Sequence, residues 1–543
     1  MDFEVNDLSK IKDEFPNKRD CLSEITDYLF DDKTHRICAI YGLRRTGKTV
    51  LMQQAFLSLP EECRKQSVFI TCNRDSDFYN ILKYIKNSID DGKKYFFIDE
   101  ITYADKFQKL AEILSDNYVS LHNARIVVTG TDSLGLSLPT HSNLYDRSIL
   151  VHTTYMPFAE FARITGNKSI DYYMKHGSTL SDISPFESDD FGREYLETSI
   201  VENFIKSLEK SEGLRSYPPV LTELYDNDEL ENAVQRIINS YSQTITIKAL
   251  RKNFELSPLE NGINAIQKSR ENPDVLFYQN LNSEQITENV RKLLKIDIFK
   301  TKISEDHLDV IKKLLKEMDV ITCIPVVTSY SGKSLDKDME MITHPGMFHA
   351  NLLYTINQLK EDSNWLPDAT AEQKNRLLNS VYETSAGKIQ ENIIIADVYK
   401  MLVTRQNEFV TLEHIPQNRW YVSKFSYDIK GIREEADLIV FDRKNNETYL
   451  FEIKHTKNVS EGQTRHLDSK VFIDYIKKNF GTVKHSVVLY NGKNDISLTI
   501  PCLNIACFLS DIYSHSKSKS YSLDDTIKRL VKRAEKDINR SKN

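Results

Sequence analysis

Between positions 42 and 49 the chain reads Gly-Leu-Arg-Arg-Thr-Gly-Lys-Thr. Two spaced glycines followed at once by lysine and threonine form a pattern that can hold a polyphosphate. Gly42 and Gly47 let the loop backbone, with Arg45 and Thr46 between them, turn its N–H groups toward phosphate oxygens. Lys48 is placed to reach the β- and γ-phosphates, and the Thr49 hydroxyl to ligate Mg²⁺. A second pair of chemical groups, Asp99 and Glu100, ends the apolar run from Lys93 to Ile98. There Asp99 would hold the hydration shell of the metal, and Glu100 would polarise an attacking water.

Specific elements must position these groups. The run Arg36 to Gly42 reads as a buried strand, and Val50 to Leu57 as a helix, so the glycine loop has the strand–loop–helix setting it needs. The first turn of that helix adds its positive dipole end. A further strand, Ser67 to Cys72, lies between the two motifs, as expected where their strands are not neighbours in the sheet. Another, Ala124 to Gly130, carries Thr129 at its end and is followed by Thr131 and Asp132. Thr129 either senses the γ-phosphate or is a solvated strand end.

A different constellation lies in the last third. Glu391 falls on the apolar stripe of a helix expected over Lys388 to Leu402, since Ile394, Val398 and Leu402 follow it at helical spacing. Asp437 sits early in the strand Glu435 to Asp442. After the turn residues Arg443 to Asn446, Glu452 and Lys454 end the returning strand and share one of its faces. Asp437 and Glu452 are hard oxygen donors suited to Mg²⁺, with Glu391 supporting that metal or a second one. The corresponding chemistry is phosphodiester hydrolysis, with Lys454 orienting water or stabilising the transition state. A Glu-x-Lys triplet alone is a weak signal, because Glu372-Gln373-Lys374 repeats it in a plain helical stretch. Gln463 is a weaker later member of the set.

The first constellation resembles the prokaryotic AAA+-like P-loop ATPases of the GxRRxGKT type. The resemblance rests on Gly42 to Thr49, Phe97 to Glu100 and Val128 to Ser133. It extends to Asp146-Arg147 and the stretch Tyr155 to Phe161, which is similar to the family's GR…PLSFxEF segment. Asp146 stands where the family has glycine, and the Leu-Ser near Pro157 is replaced. The resemblance implies that Arg147 stabilises γ-phosphate charge, in cis or from a neighbouring subunit; a surface ion pair is the alternative. It also implies ATP and Mg²⁺ as ligands and assembly into a homo-oligomer.

The second constellation resembles the PD-(D/E)xK nuclease superfamily over Thr384 to Ser510, with Glu-Ala-Asp437 in place of Pro-Asp. In between, Ser304 reads as a helix cap before Glu305 and Asp306. The strand Val320 to Val327, a polar turn over Ser329 to Asp338, a returning strand from Glu340 and the His344-Pro-Gly346 stretch resemble a winged helix. Such a module serves DNA contact or interdomain contact.

The expected fold class is α/β and multidomain. It comprises a P-loop ASCE/AAA+-like parallel sheet, a helical and winged-helix middle, and a C-terminal restriction-endonuclease-like α/β domain. The expected boundaries are an ATPase core at 1–160, a helical lid at 161–240, a winged helix at 241–350, a helical linker at 351–383, a nuclease-like domain at 384–514 and a basic tail at 515–543.

Composition narrows the function. The 543 residues carry a net charge of −7, so the chain is not built to coat nucleic acid throughout. No apolar run is long enough for a membrane span and no secretory leader is visible, so no membrane partner is expected. The seven scattered cysteines point to a reducing, cytoplasmic setting. Between 515 and 543, nine Lys/Arg face four Asp/Glu, which reads as a solvated helix and tail or as a phosphate contact. Two functions follow: an ATP-dependent, metal-dependent nuclease acting on DNA, or a nucleotide-gated switch whose nuclease-like domain only binds.

Overall fold

Five short apolar runs make the first sheet: β1 (Ile37–Tyr41), β2 (Ser67–Thr71), β3 (Tyr95–Asp99), β4 (Arg125–Thr129) and β5 (Ser148–His152). All pair in parallel, in the order β2-β3-β4-β1-β5. The strand bearing Asp99 is thus separated from the strand leading into the glycine loop by β4, as the interposed strand predicts. Burial on both faces explains the unbroken apolar composition. Ile37, Ala39, Ile98 and Val128 pack on one side. Cys38, Ile40, Phe97 and Val127 pack on the other.

The computed structural model describes residues 14–31, 36–73, 75–104, 113–130, 148–180, 197–205, 219–254, 282–294, 303–330, 333–404, 419–429, 432–460, 467, 469–518 and 520–542. Thr131, Asp132, the Asp146-Arg147 pair and Gln463 lie outside the described residues, so the expectation for Arg147 has no placement to be compared with.

The second sheet has seven strands in the order β12-β11-β10-β9-β8-β6-β7. The hairpin β6 (Ile321–Tyr330) and β7 (Lys333–Ile342) forms one edge. It follows the helix Glu305–Glu317, which Ser304 caps through His307 as expected. However, β6 also pairs in parallel with β8 (Trp420–Ile429). The hairpin read as a wing is therefore continuous with the C-terminal strands β9 (Ile432–Asp442), β10 (Glu447–Lys454), β11 (Thr482–Tyr490) and β12 (Cys502–Asn504). The polar stretch Ser329 to Asp338 is mostly strand: alternating side chains on an edge hairpin need not be apolar.

All five expected boundaries fall inside helices: Phe158–Thr165, Leu230–Phe254, Pro345–Glu361, Ala371–Tyr399 and Ile505–His515. A single helix, Ala371–Tyr399, starts at a Thr370–Gln373 capping box and runs through position 384. The stretch read as a basic tail contains the helix Leu523–Lys542. Its Leu523, Ile527, Leu530 and Ala534 are buried, a stripe at helical spacing that the surrounding charges mask. One hydrophobic core runs from Leu43 and Met156 beside the first sheet, through Ile311 and Ile394, to Val487 and Leu530.

Arg19 ties the N-terminal segment into this frame. Its guanidinium donates to Glu160 Oε1 at 2.7 Å and to the carbonyls of Thr46, Thr153 and Tyr155 at 3.0, 3.3 and 3.3 Å. Both partners of the ion pair are buried. Removing one partner leaves the other charged and unsolvated. Arg19→Met is expected to cost about 3–5 kcal/mol in urea denaturation. The double variant Arg19→Met/Glu160→Met is expected to recover most of that loss.

Candidate functional site

The C-terminal ends of β1, β3 and β4 bring the first constellation together, the usual ligand edge of a parallel α/β sheet. After β1 the chain turns through Gly42, whose φ is +145°. A Cβ there would collide with the Thr153 hydroxyl and the Thr154 amide, so only glycine allows the loop to lie this close to the end of β5. Gly47, at φ +82°, starts the helix Lys48–Leu57. Leu43 N donates to Thr154 Oγ1 at 3.1 Å, which fixes the loop from behind.

Lys48 is buried and folded back on the loop, donating to the carbonyls of Gly42 and Leu43 at 2.9 Å each. Burial pushes its ammonium down to about 8, against the opposing pull of Glu100 and Asp99. Thr49 Oγ1 lies 3.4 Å from Asp99 Oδ1. Thr129 Oγ1 donates to the same carboxylate and accepts from the Glu100 amide at 3.1 Å, so it locks both acids in place. Glu100 itself sits at φ +56°, a left-handed conformation that turns its side chain out of the strand line. The oxygen donors of Thr49 and Asp99 suit Mg²⁺.

Other members of the loop act differently. The Thr46 hydroxyl bonds Thr153 Oγ1 at 2.8 Å and the Leu43 carbonyl at 2.9 Å, so only its backbone faces a ligand. Arg45 is exposed, at φ +62°, and its carbonyl accepts from Leu180 N at 2.9 Å. Arg44 is half-buried, and its Nη2 lies 3.4 Å from Glu202 Oε2.

A cavity of about 400 Å³ opens beside Gly47. Phe15, Arg19, Val50, Gln54, Phe161 and Tyr172 are among its walls. Gln54 holds the N-terminal segment there through the carbonyls of Phe15 and Asn17, at 2.8 and 3.2 Å. Apart from Phe161, which ends the stretch that resembles the family's PLSFxEF segment, none of these residues carries a sequence signature. Their one legible feature is the apolar spacing of the helix after the loop.

The second constellation also converges. The β9–β10 register ends with Phe451 opposite Leu438, so Glu452 and Asp437 are next along the hairpin. Asp437 Oδ2 accepts from Ile453 N at 2.8 Å. Burial, then Glu391 and Glu452, push its carboxyl well above the usual carboxylate range. Each remaining acid is held by lysine. Lys454 donates to Glu452. Lys388 donates to both Glu391 oxygens, at 2.7 and 2.6 Å. Lys424, which sequence reasoning did not single out, donates to Glu391 and to Asn392 Oδ1, the latter at 2.8 Å. Among the described residues no group of three or more His, Cys, Asp or Glu is placed to hold a metal ion. As they stand, these carboxylates do not fit a divalent cation.

A buried carboxylate joins the two regions. Asp397, on the helix that carries Glu391, accepts from the Tyr155 hydroxyl and from Phe158 N, the latter at 3.1 Å. Burial and Asp397 keep the Tyr155 phenol protonated and therefore a donor. The Lys400 ammonium lies 4.6 Å from the centroid of the Tyr155 ring and pairs with Asp319.

Residues 34–162 match the family model described as "AAA domain". This segment is an AAA-type P-loop ATPase domain, a class that binds nucleotide and typically Mg²⁺. No curated protein matches the chain. Among solved structures, one titled "crystal structure of DNA replication initiation factor" aligns with 55% of this chain and 86% of its own at 14% identity and a TM-score of 0.17. So low a score carries no argument. Among the described residues no helix is long and apolar enough to cross a membrane.

A phosphate-holding role for Lys48 would give nucleotide binding a pH dependence. Below pH 8 the ammonium is already charged; above it the neutral amine must take up a proton to pair with phosphate. ATP affinity measured by calorimetry should therefore fall about tenfold for each pH unit above that point, with net proton uptake. Lys48→Arg, which does not titrate there, should flatten the dependence. Lys48→Ala should abolish ATP turnover, and unchanged turnover would contradict the assignment.

Proposed function

We propose that this chain is an ATP-hydrolysing AAA-type ATPase whose nucleotide state governs a nuclease-like C-terminal domain acting on DNA. The observation that carries the reading is Asp397, which takes hydrogen bonds from the segment directly after β5 while sitting six positions from Glu391 on one helix. Any movement of the loop that displaces Thr153 and Thr154 reaches this carboxylate through Tyr155.

In this reading the cavity beside Gly47 seats the adenine, since its volume falls in the usual range for such sites. The loop amides and Lys48 hold the phosphates. Thr49 and Asp99 are the side chains that would hold Mg²⁺ bound with the nucleotide, and the ion would supply neutralisation of phosphate charge. Glu100 orients the attacking water, while Thr129 keeps Asp99 and Glu100 in register. The family resemblance adds a charge-stabilising role for Arg147 and a homo-oligomer. Exposed Lys532, Arg533 and Lys536 on the last helix offer contacts to a phosphate backbone. Lys454, Glu452, Asp437 and Glu391 form the cutting site of this proposal.

One observation favours the alternative, a nucleotide-gated binding switch that does not cut: lysines engage Glu391 and Glu452. The two readings separate on a panel of DNA and RNA substrates incubated with Mg²⁺ or Mn²⁺, with and without ATP. The proposal expects cleavage that needs ATP and disappears in Asp437→Ala. It also expects Asp397→Asn to keep ATP turnover while cleavage loses its response to ATP. Intact substrates under every condition would leave the switch.

A further inference from the structure

We infer that Lys424 is a built-in counter-ion that keeps a divalent cation out of the C-terminal carboxylate group until Glu391 is moved away from it. The inference rests on the nuclease-like reading above. It starts from a misfit: three carboxylates gathered as a hard-cation site would be, yet arranged so that none is placed for a metal.

The position of Lys424 is built rather than incidental. In a regular strand, side chains alternate between faces. Along β8, Trp420 and Val422 pack into the core that holds Ile393 and Ile394 of the helix Ala371–Tyr399, while Phe425 packs on the other side of the sheet, so alternation sends Lys424 toward that helix. The β8–β9 register shifts between Ser423 and Phe425 because two steps of β8 oppose three of β9, from Ile439 to Ala436, so the extra residue lies at Asp437 and Leu438, opposite Lys424, which stays paired with Val326 of β6. Such bulges re-aim a side chain, here that of Asp437, whose neighbours Ala436 and Leu438 pack in different cores. The Lys424 ammonium meets Glu391, and Asn392 gives it a second acceptor.

Charge arithmetic then decides what else can enter. Glu391, Asp437 and Glu452 face Lys388, Lys424 and Lys454. With all six ionised the group is neutral, and with the raised Asp437 carboxyl protonated it is positive. A divalent cation added to it would bring two uncompensated charges into a poorly solvated space, which costs more than coordination returns. A lysine must therefore lose its hold for a metal to bind. The side chain of Lys388 is 49% exposed and can swing into water, whereas that of Lys424 is 11% exposed and reaches up from the sheet. Lys424 cannot leave, but Glu391 can, because it rides on the helix anchored by Asp397 to the ATPase. A small shift of that helix parts Glu391 from Lys424, frees its oxygens and makes room for the cation.

The test is calorimetric titration of Mn²⁺ into nucleotide-free full-length protein near neutral pH. The wild type is expected to show no Mn²⁺ site that depends on Asp437. Lys424→Gln, which removes the charge and keeps a hydrogen-bond donor, is expected to gain one site at least about tenfold tighter. The double variant Lys424→Gln/Asp437→Asn, whose ATPase site is intact, should lose it. Lys424→Met is expected to gain the same site and serves if Lys424→Gln melts early, while Lys388→Gln should gain little. Equal Mn²⁺ affinity in wild type and Lys424→Gln overturns the inference. So does a tight Asp437-dependent site in the wild type, a finding that needs no Lys424 variant, or the lack of any gain in folded Lys424 variants. A Mn²⁺ site gained by a protein that cuts nothing supports the inference while removing the nuclease reading. ATP-dependent cleavage without any gain does the reverse.

Discussion

A buried carboxylate between two working regions constrains this molecule more than any other single contact. Asp397 is almost fully removed from solvent, where an unsatisfied charge would cost several kcal/mol. Its oxygens are instead engaged by the Tyr155 hydroxyl and the Phe158 amide, at the point where the chain leaves the parallel sheet. That point is also where Arg19 collects the carbonyls of Thr46, Thr153 and Tyr155, and where the end of β5 presses on Gly42. The phosphate loop, the turn after β5 and the long helix Ala371–Tyr399 are thus linked by bonds that cannot be loosened one at a time at low cost.

The packing around this link works the same way. The hydrophobic core that begins at Leu43 and Met156 continues without interruption to Val487 and Leu530. Close-packed interiors pass displacement on rather than absorbing it. The edge hairpin β6–β7 belongs to the same sheet as the strands that carry Asp437 and Glu452, so the middle of the chain is part of the frame around the carboxylates.

What could be read from the sequence follows from how local the cause was. The glycine loop was legible because Gly42 and Gly47 adopt backbone conformations that favour glycine, and the motif states this directly. Asp99, Glu100 and Thr129 were legible because each ends or follows an apolar strand. Glu391, Asp437, Glu452 and Lys454 were legible because helical spacing and strand alternation placed them before any contact was known. The rest depended on distant partners. Lys424 was hidden because its partner Glu391 lies 33 positions away in the chain and leaves no mark beside it. Asp397 and Arg19 were hidden because their partners come from other parts of the chain. The hairpin read as a separate wing was misplaced for the same reason: its pairing with β8 leaves no local trace. The last helix was read as solvated because charge outweighed a four-residue apolar stripe.

The account stands on the claim that filling the phosphate loop is felt on the helix that carries Glu391. Hydrogen exchange of the backbone amides between 386 and 399, measured with and without a non-hydrolysable ATP analogue, tests it most directly. The account predicts a change in protection along this stretch when the analogue binds, matched by a change at positions 153–158. Protection that alters around the phosphate loop while 386–399 exchanges at an unchanged rate would contradict it.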